Sequence, residues 1–368
     1  MNIETRDLVY VMLAFIVAGV VSFGMSPLVK RFAKIVGAVD VPSDERRMHK
    51  TPITRLGGLA IFLGFIVAVL IFNDMGEQVR GILIGAVIIV VLGILDDILR
   101  LKAWIKLLFQ IAAALVPVLS GVVVNHFTNI LYIFTDGSPY IALGNWAIPI
   151  TVVWIVVITN SVNLIDGLDG LAVGVSSIAA ISMLVISLVL QNPVVAILMA
   201  ALAGACVGFM PYNLNPAKMF MGDTGALFLG YILATCSIMG LFKFYAIISF
   251  AVPFLVLGLP IFDTVSAIVR RLSKGKSPMN PDRSHVHHHL IDMGLTQKQS
   301  VAILYVLSAA LGTTAVMLTT AGEIKAIFLL VAVLIAFIIA INLFVNHNSK
   351  SDDQSTSEPT DEEDDDEK

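Results

Sequence analysis

The stretch Leu8-Val-Tyr-Val-Met-Leu-Ala-Phe-Ile-Val-Ala-Gly-Val-Val-Ser-Phe-Gly-Met-Ser-Pro-Leu-Val29 carries no charged residue and runs directly into Lys30 and Arg31. Roughly 20 consecutive apolar residues span the hydrocarbon core of a bilayer as a helix, so this segment places the chain in a membrane. It lacks a small-residue cleavage site and is read as a retained helix rather than a signal peptide. The rest of the chain agrees. Of its 368 residues 57% are hydrophobic and only 14% charged, which excludes an ordinary soluble domain. Cys206 and Cys236 both lie in apolar runs and read as small core residues.

The fold expected is an all-α polytopic membrane protein. Eleven candidate helices follow from the apolar runs: 8–29, 56–73, 79–95, 105–125, 146–165, 170–191, 194–212, 224–242, 244–271, 299–321 and 325–346. The third is short, and the ninth, with Pro253, Pro260 and Asp263, is expected to kink or break. Residues 1–347 form one integral membrane domain. The net charge of −4 misrepresents it, because the tail 348–368 holds the acidic run Asp361–Glu367 and reads as solvated and disordered, leaving a mildly basic body.

Lysine and arginine crowd one set of loops, including Lys30, Arg46, Arg55, Arg100, Lys106, Lys218, Arg270 and Arg283, while the other side holds only Arg6, Arg80, Lys243 and Lys325. This bias puts the N-terminus outside and the C-terminus inside a cell membrane. One outside loop, Ile130–Phe134 and Tyr140–Leu143 about an Asp136-Gly137 turn, reads as a short β-hairpin.

On that threading every polar cluster comes out at the inner face. Asp96-Asp97 ends the third helix, with Arg100, Lys102 and Lys106 near enough to offset the repulsion of two carboxylates. Asn160, Asn163, Asp166 and Asp169 recur every third residue and descend from lipid depth. Four oxygen-bearing groups in ten residues suit a hard cation such as Mg²⁺ better than they suit a merely polar helix end. Gly222-Asp223-Thr224-Gly225 opens the eighth helix. Asp223 and Thr224 could simply cap that helix, or its N-terminus could receive a phosphate while Asp223 holds the metal. In Asp282-Arg-Ser-His-Val-His-His-His289 the clustered histidines suggest a metal or an anion site. With no cysteine near and Arg283 adjacent, an anion is favoured over zinc. The charges of Arg46-Arg-Met-His-Lys50 through Gly57-Gly58 could be only a positive-inside signal, and the Gly57-Gly58 pair opening the second helix suggests close packing or a backbone anion site.

These five blocks in this order resemble the polyprenyl-phosphate N-acetylhexosamine-1-phosphate transferase family, and the match runs to about residue 346. The resemblance implies transfer of a sugar 1-phosphate from a UDP-sugar to a polyprenyl phosphate lipid, release of UMP, and dependence on Mg²⁺ or Mn²⁺. It implies that Asp223 is the main metal ligand, assisted by Asn163, and that Asp96 or Asp97 binds or deprotonates the lipid phosphate. Lys50 would neutralise a phosphate. Asn160, Asp166 and Asp169 would lie about the substrate, and Arg283, His285, His287 and His288 would grip the diphosphate or sugar. The Asp282-Arg-Ser-His-Val-His-His pattern resembles the branch using UDP-N-acetylglucosamine and undecaprenyl phosphate, at the start of wall teichoic acid or a related polymer. Three consecutive histidines point instead to the phospho-N-acetylmuramoyl-pentapeptide branch. No nucleic-acid partner is expected, and a homodimer is compatible.

Two readings from other classes compete. A cation-coupled transporter also uses membrane acids, but near the midplane, where only Asp263 suggests it. A scaffold would recruit partners through the acidic tail.

Overall fold

The computed structural model describes residues 4–41, 52–128, 140–240, 247–273 and 286–320, with single positions at 325, 328, 331, 332 and 335. The chain is a helical bundle: α1 Thr5–Ile35, α2 Gly57–Phe72, α3 Glu77–Leu99, α4 Ala103–Leu119, α5 Ala147–Leu164, α6 Leu171–Val189, α7 Pro193–Asn213, α8 Gly222–Gly240, α9 Ile247–Val256, α10 Gly258–Ser273, α11 Val286–Asp292 and α12 Gln297–Thr320. Among the described residues, seven of these helices are long and apolar enough to cross a membrane, and three shorter apolar helices pack among them. The protein is a multi-pass membrane protein.

The burial pattern of α1 shows how such helices divide. Val11, Ala14, Ala18, Ser22, Ser26, Val29 and Ala33 form a buried stripe at three- and four-residue spacing. Met12, Ile16 and Val20 are exposed on the opposite face, as suits a lipid contact. The stripe is made of small residues because α7 approaches closely: a side chain on Gly204 or Gly208 would collide with the backbone of Phe15 or Gly19. At the centre runs α8, every residue of which except Asp223 is buried. It packs against α2, α3, α5 and α6, while α12 covers α6.

Several expectations are refined. The third helix is longer than its apolar run, so Asp96 and Asp97 fall inside its last turn. The fourth ends at Leu119 rather than 125, because Gly121, at φ +89°, turns the chain. The ninth is broken into α9 and α10 at Leu257. The histidine segment, read as loop, forms α11 from Val286 onward, its first N–H donating to Asp263 Oδ1 at 2.8 Å. The hairpin expected before α5 keeps its second strand, β4 Tyr140–Ala142, but this pairs antiparallel with β3 His126–Thr128. The expected first strand and turn lie outside the described residues, as does helix 325–346 except for isolated positions. A second two-stranded ribbon, β1 Val39–Asp40 with β2 Ile53–Thr54, was not expected.

α2 and α3 meet α8 through glycines. A Cβ on Gly58 would lie 2.0 Å from the Gly225 nitrogen, and one on Gly93 would lie 2.3 Å from Thr224 Cα. Gly58→Ala is therefore expected to overpack the α2–α8 contact and cost about 1–3 kcal/mol, read as a lower Tm in detergent. Gly76→Ala, where a Cβ meets open space, should leave Tm near wild type; equal Tm values for the two variants would refute the close contact.

Candidate active site

The site is assembled from helix ends. Asp97, from the last turn of α3, turns both carboxylate oxygens onto the start of α8. Oδ1 accepts the Asp223 N–H at 3.0 Å, and Oδ2 accepts the Thr224 N–H at 3.0 Å and the Thr224 hydroxyl at 2.7 Å. These are amides that a helix start leaves without internal partners, and a negative charge there also meets the positive end of the helix dipole. Asp97 therefore caps α8 from another helix, whereas a local cap by Asp223 and Thr224 was one of the two readings the sequence left open. Gly222 makes room for it: its φ is +73°, and a Cβ would lie 2.5 Å from Asp97 Oδ2. The loop before it is held in register by β2 and the start of α2, through Phe220 N–H to Thr54 O (2.8 Å), Gly57 N–H to Phe220 O (3.0 Å) and Gly58 N–H to Met221 O (2.8 Å).

Asp223 is thereby the one incompletely buried residue of the central helix. Asn163 Nδ2 donates to its Oδ1 at 2.6 Å, and Lys106 Nζ lies 3.9 Å from its Oδ2. The same ammonium stands 2.5 Å from Asp96 Oδ2, whose other oxygen accepts the Leu101 N–H at 2.8 Å. Lys106 is thus shared between two acids. On the other side, Arg55 places Nε 3.9 Å from Asp97 Oδ1 and Nη1 3.9 Å from Asp40 Oδ1. The sequence marked Lys106 as a possible counter-ion. It gave no reason to select Arg55 from its basic loop.

Asp166 and Asp169 sit in the loop joining α5 to α6. Burial pushes the Asp166 carboxyl up to about 7, with the charges of Asp223 and Asp97 adding to the shift and Arg55 opposing it. A carboxyl so placed is stabilised by taking either a proton or a cation. Asp169 is engaged elsewhere: its Oδ2 accepts Asn215 Nδ2 and the Ala217 N–H, both at 3.0 Å, and Asn215 also donates to Gln297 Oε1 at 2.7 Å. The Tyr305 hydroxyl donates to Gly170 O at 2.6 Å, so α12 is fastened to the same loop. Asn160 pairs with Gln110 rather than with the acids.

Of the residues singled out in the sequence, the structure brings together Asp96, Asp97, Asn163 and Asp223, with Asp166 in their field. Lys50, Arg283 and His285 lie outside the described residues; His287 and His288 are placed on α11, their side chains outside the described set. Among the described residues no three histidine, cysteine or acidic side chains converge as a ligand set of their own. The donors present are carboxylate and amide oxygens. Such a set fits Mg²⁺, which is commonly held by one or two carboxylates with substrate phosphates completing the shell. Asp223 would hold it, with Asn163, whose amide donates to Asp223, beside it.

Acids, amides and a shared lysine gathered at the helix ends of a multi-pass bundle have the make-up of an enzyme site in a membrane. Comparison with known proteins is specific. Residues 79–241, from α3 through α8, match the family described as glycosyl transferase family 4. The chain is 39% identical, over 88% of its length and 89% of the relative's, to a Bacillus subtilis (strain 168) protein described as a probable undecaprenyl-phosphate N-acetylglucosaminyl 1-phosphate transferase. It is 35% identical to the decaprenyl-phosphate N-acetylglucosaminephosphotransferase of Mycobacterium tuberculosis (strain ATCC 25618 / H37Rv), covering 78% of this chain and 77% of that one. It is 32% identical to the phospho-N-acetylmuramoyl-pentapeptide-transferase of Staphylococcus aureus (strain MSSA476), over 81% and 94%. The chain belongs to the polyprenyl-phosphate N-acetylhexosamine-1-phosphate transferase family.

The two neighbouring acids differ in what they hold. Asp97→Ala removes three accepted hydrogen bonds from the start of α8 and is expected to cost about 1–3 kcal/mol, seen as a clear drop in Tm. Asp223→Ala should leave Tm close to wild type while abolishing turnover. Equal Tm losses in the two variants would show that Asp97 is not the cap.

Proposed function

We propose that this protein transfers N-acetylglucosamine 1-phosphate from UDP-N-acetylglucosamine to undecaprenyl phosphate, giving undecaprenyl-diphospho-N-acetylglucosamine and UMP, as the first membrane step of a cell-wall polymer such as teichoic acid. The observation that carries the reading is Asp223 at the start of the buried α8, hydrogen-bonded by Asn163 and faced by Lys106. The similarity to the N-acetylglucosaminyl relatives over most of the chain supports the choice of sugar. The lysine- and arginine-rich loops support a cytoplasmic site, where a soluble nucleotide sugar meets a lipid headgroup.

Two anionic substrates repel, and the site offers charges that offset this. Lys106 can leave Asp96 for an incoming phosphate, and Arg55 adds a second cation nearby. A divalent cation, when bound, supplies further charge compensation for the donor's diphosphate. An oxygen of the lipid phosphate attacks the β-phosphorus of the donor, the bond from that phosphorus to the bridging oxygen breaks, and UMP leaves with the electron pair. This direct route is favoured over an aspartyl-phosphate on Asp97 because both Asp97 oxygens accept hydrogen bonds from α8. Asp96 is then the candidate to receive a proton from a monoprotonated lipid phosphate.

The test is UMP release by purified protein in detergent with undecaprenyl phosphate, Mg²⁺ and UDP-N-acetylglucosamine. Turnover should vanish with EDTA, return with Mg²⁺ or Mn²⁺, and fall by on the order of a hundredfold or more in Asp223→Asn. Turnover with UDP-N-acetylmuramyl-pentapeptide instead would assign the protein to the branch suggested by its three histidines and by the Staphylococcus aureus relative. No UMP from either donor, in folded protein, would revive the transporter reading.

A further inference from the structure

Lys106 and Asn163 both reach Asp223, one from α4 and the other from α5. One turn further along each helix, away from the acids, stand Gln110 and Asn160. The four-residue step on α4 and the three-residue step on α5 put each on the same face as its partner toward the site. Gln110 Nε2 donates to Asn160 Oδ1 at 3.2 Å, and Asn160 Nδ2 donates to Gln110 Oε1 at 2.7 Å. Asn160 Nδ2 also donates to Val156 O at 2.8 Å. Gln110 is only 2% exposed. The amide of Asn160 thus spends both its hydrogens and an acceptor within the bundle.

An amide buried at membrane depth is costly without a partner. A reciprocal pair between two helices forms in one relative rotation and offset, so it fixes the register of α4 on α5. That register sets where Lys106 stands relative to Asn163, and hence to Asp96 and Asp223. We infer that Gln110 and Asn160 form a latch that positions Lys106 in the active site, and that both act as positioning residues rather than as substrate ligands. This rests on the transferase reading above.

The test uses the full chain in detergent, with Tm and the kcat and KM of UMP release measured together. Gln110→Leu leaves Asn160 Oδ1 and one Asn160 amide hydrogen without their partner and should lower both Tm and kcat. The double variant Gln110→Leu/Asn160→Leu removes both polar groups, so Tm should recover toward wild type. Its kcat should stay down by roughly ten- to a hundredfold, because the register is no longer fixed, with KM for both substrates near wild type. The exchange Gln110→Asn/Asn160→Gln keeps an amide pair and should regain part of kcat. The latch is overturned if kcat simply follows Tm through the series, if the double variant turns over like wild type, or if KM for one substrate rises with kcat unchanged. A wild type that releases no UMP overturns the transferase reading and the latch together; an active wild type with any of the preceding outcomes overturns the latch alone.

Discussion

The site depends on one interaction, the capping of α8 by Asp97. A helix start buried among other helices leaves amides that water cannot reach, and each is expensive unless an acceptor comes to it. Here the acceptor arrives from the end of α3, across 126 positions of sequence. It brings a full negative charge to the positive end of the α8 dipole. The glycines at 58, 93, 222 and 225 follow from that arrangement, since any side chain there would push the partners apart. Holding α8 in this way leaves Asp223 as its one residue open to the site.

The second constraint is charge. Asp96, Asp97, Asp166 and Asp223 share a small, partly dehydrated volume with Lys106 and Arg55 as their nearest described cations. Carboxylates outnumber cations there, and their mutual repulsion is weakly screened at the edge of a low-dielectric bundle. Such a volume is stabilised by anything positive that enters with ligands of its own. A divalent cation carried with a diphosphate meets that description. The tetrahedral thiolate chemistry of structural zinc does not, since the buried cysteines at 206 and 236 lie within the apolar core.

Among the described residues the seven long membrane helices were legible because their signal is local: an apolar run of sufficient length decides each one. The acids were legible because charge in such a chain stands out against the background. What could not be read is tertiary. Strands of two residues, as in β1 and β2, are too short to alternate, so the ribbon that carries Arg55 and aligns the Phe220–Gly222 loop left no pattern. That Asp96 and Asp97 need not do the same job follows from the sequence, since adjacent residues on a helix point about 100° apart; only the packing shows that Asp97 faces α8 and Asp96 faces Lys106. Asp169 fell in step with Asn160 and Asn163, yet the glycines of its loop turn it toward Asn215 and Ala217. Gln110 gave no signal beyond being polar in an apolar helix, and Tyr305 none at all.

Asp263 shows how the competing classes separate on physical grounds. A carboxylate in a broken membrane helix suggests ion transport, because burying a charge at membrane depth is costly unless it is used. Here the charge is used structurally. Asp263 accepts the first N–H of α11 and so ties α10 to the helix that carries His287–His289. Asp96, Asp97 and Asp223 gather instead at the helix ends around the start of α8, where their partners are a lysine, an arginine, amides and a helix dipole. A permeation path needs groups that release their ion to either side in turn. Acids bound this firmly into the framework instead hold a fixed geometry at one surface, which is what a transfer between a lipid phosphate and a soluble donor requires.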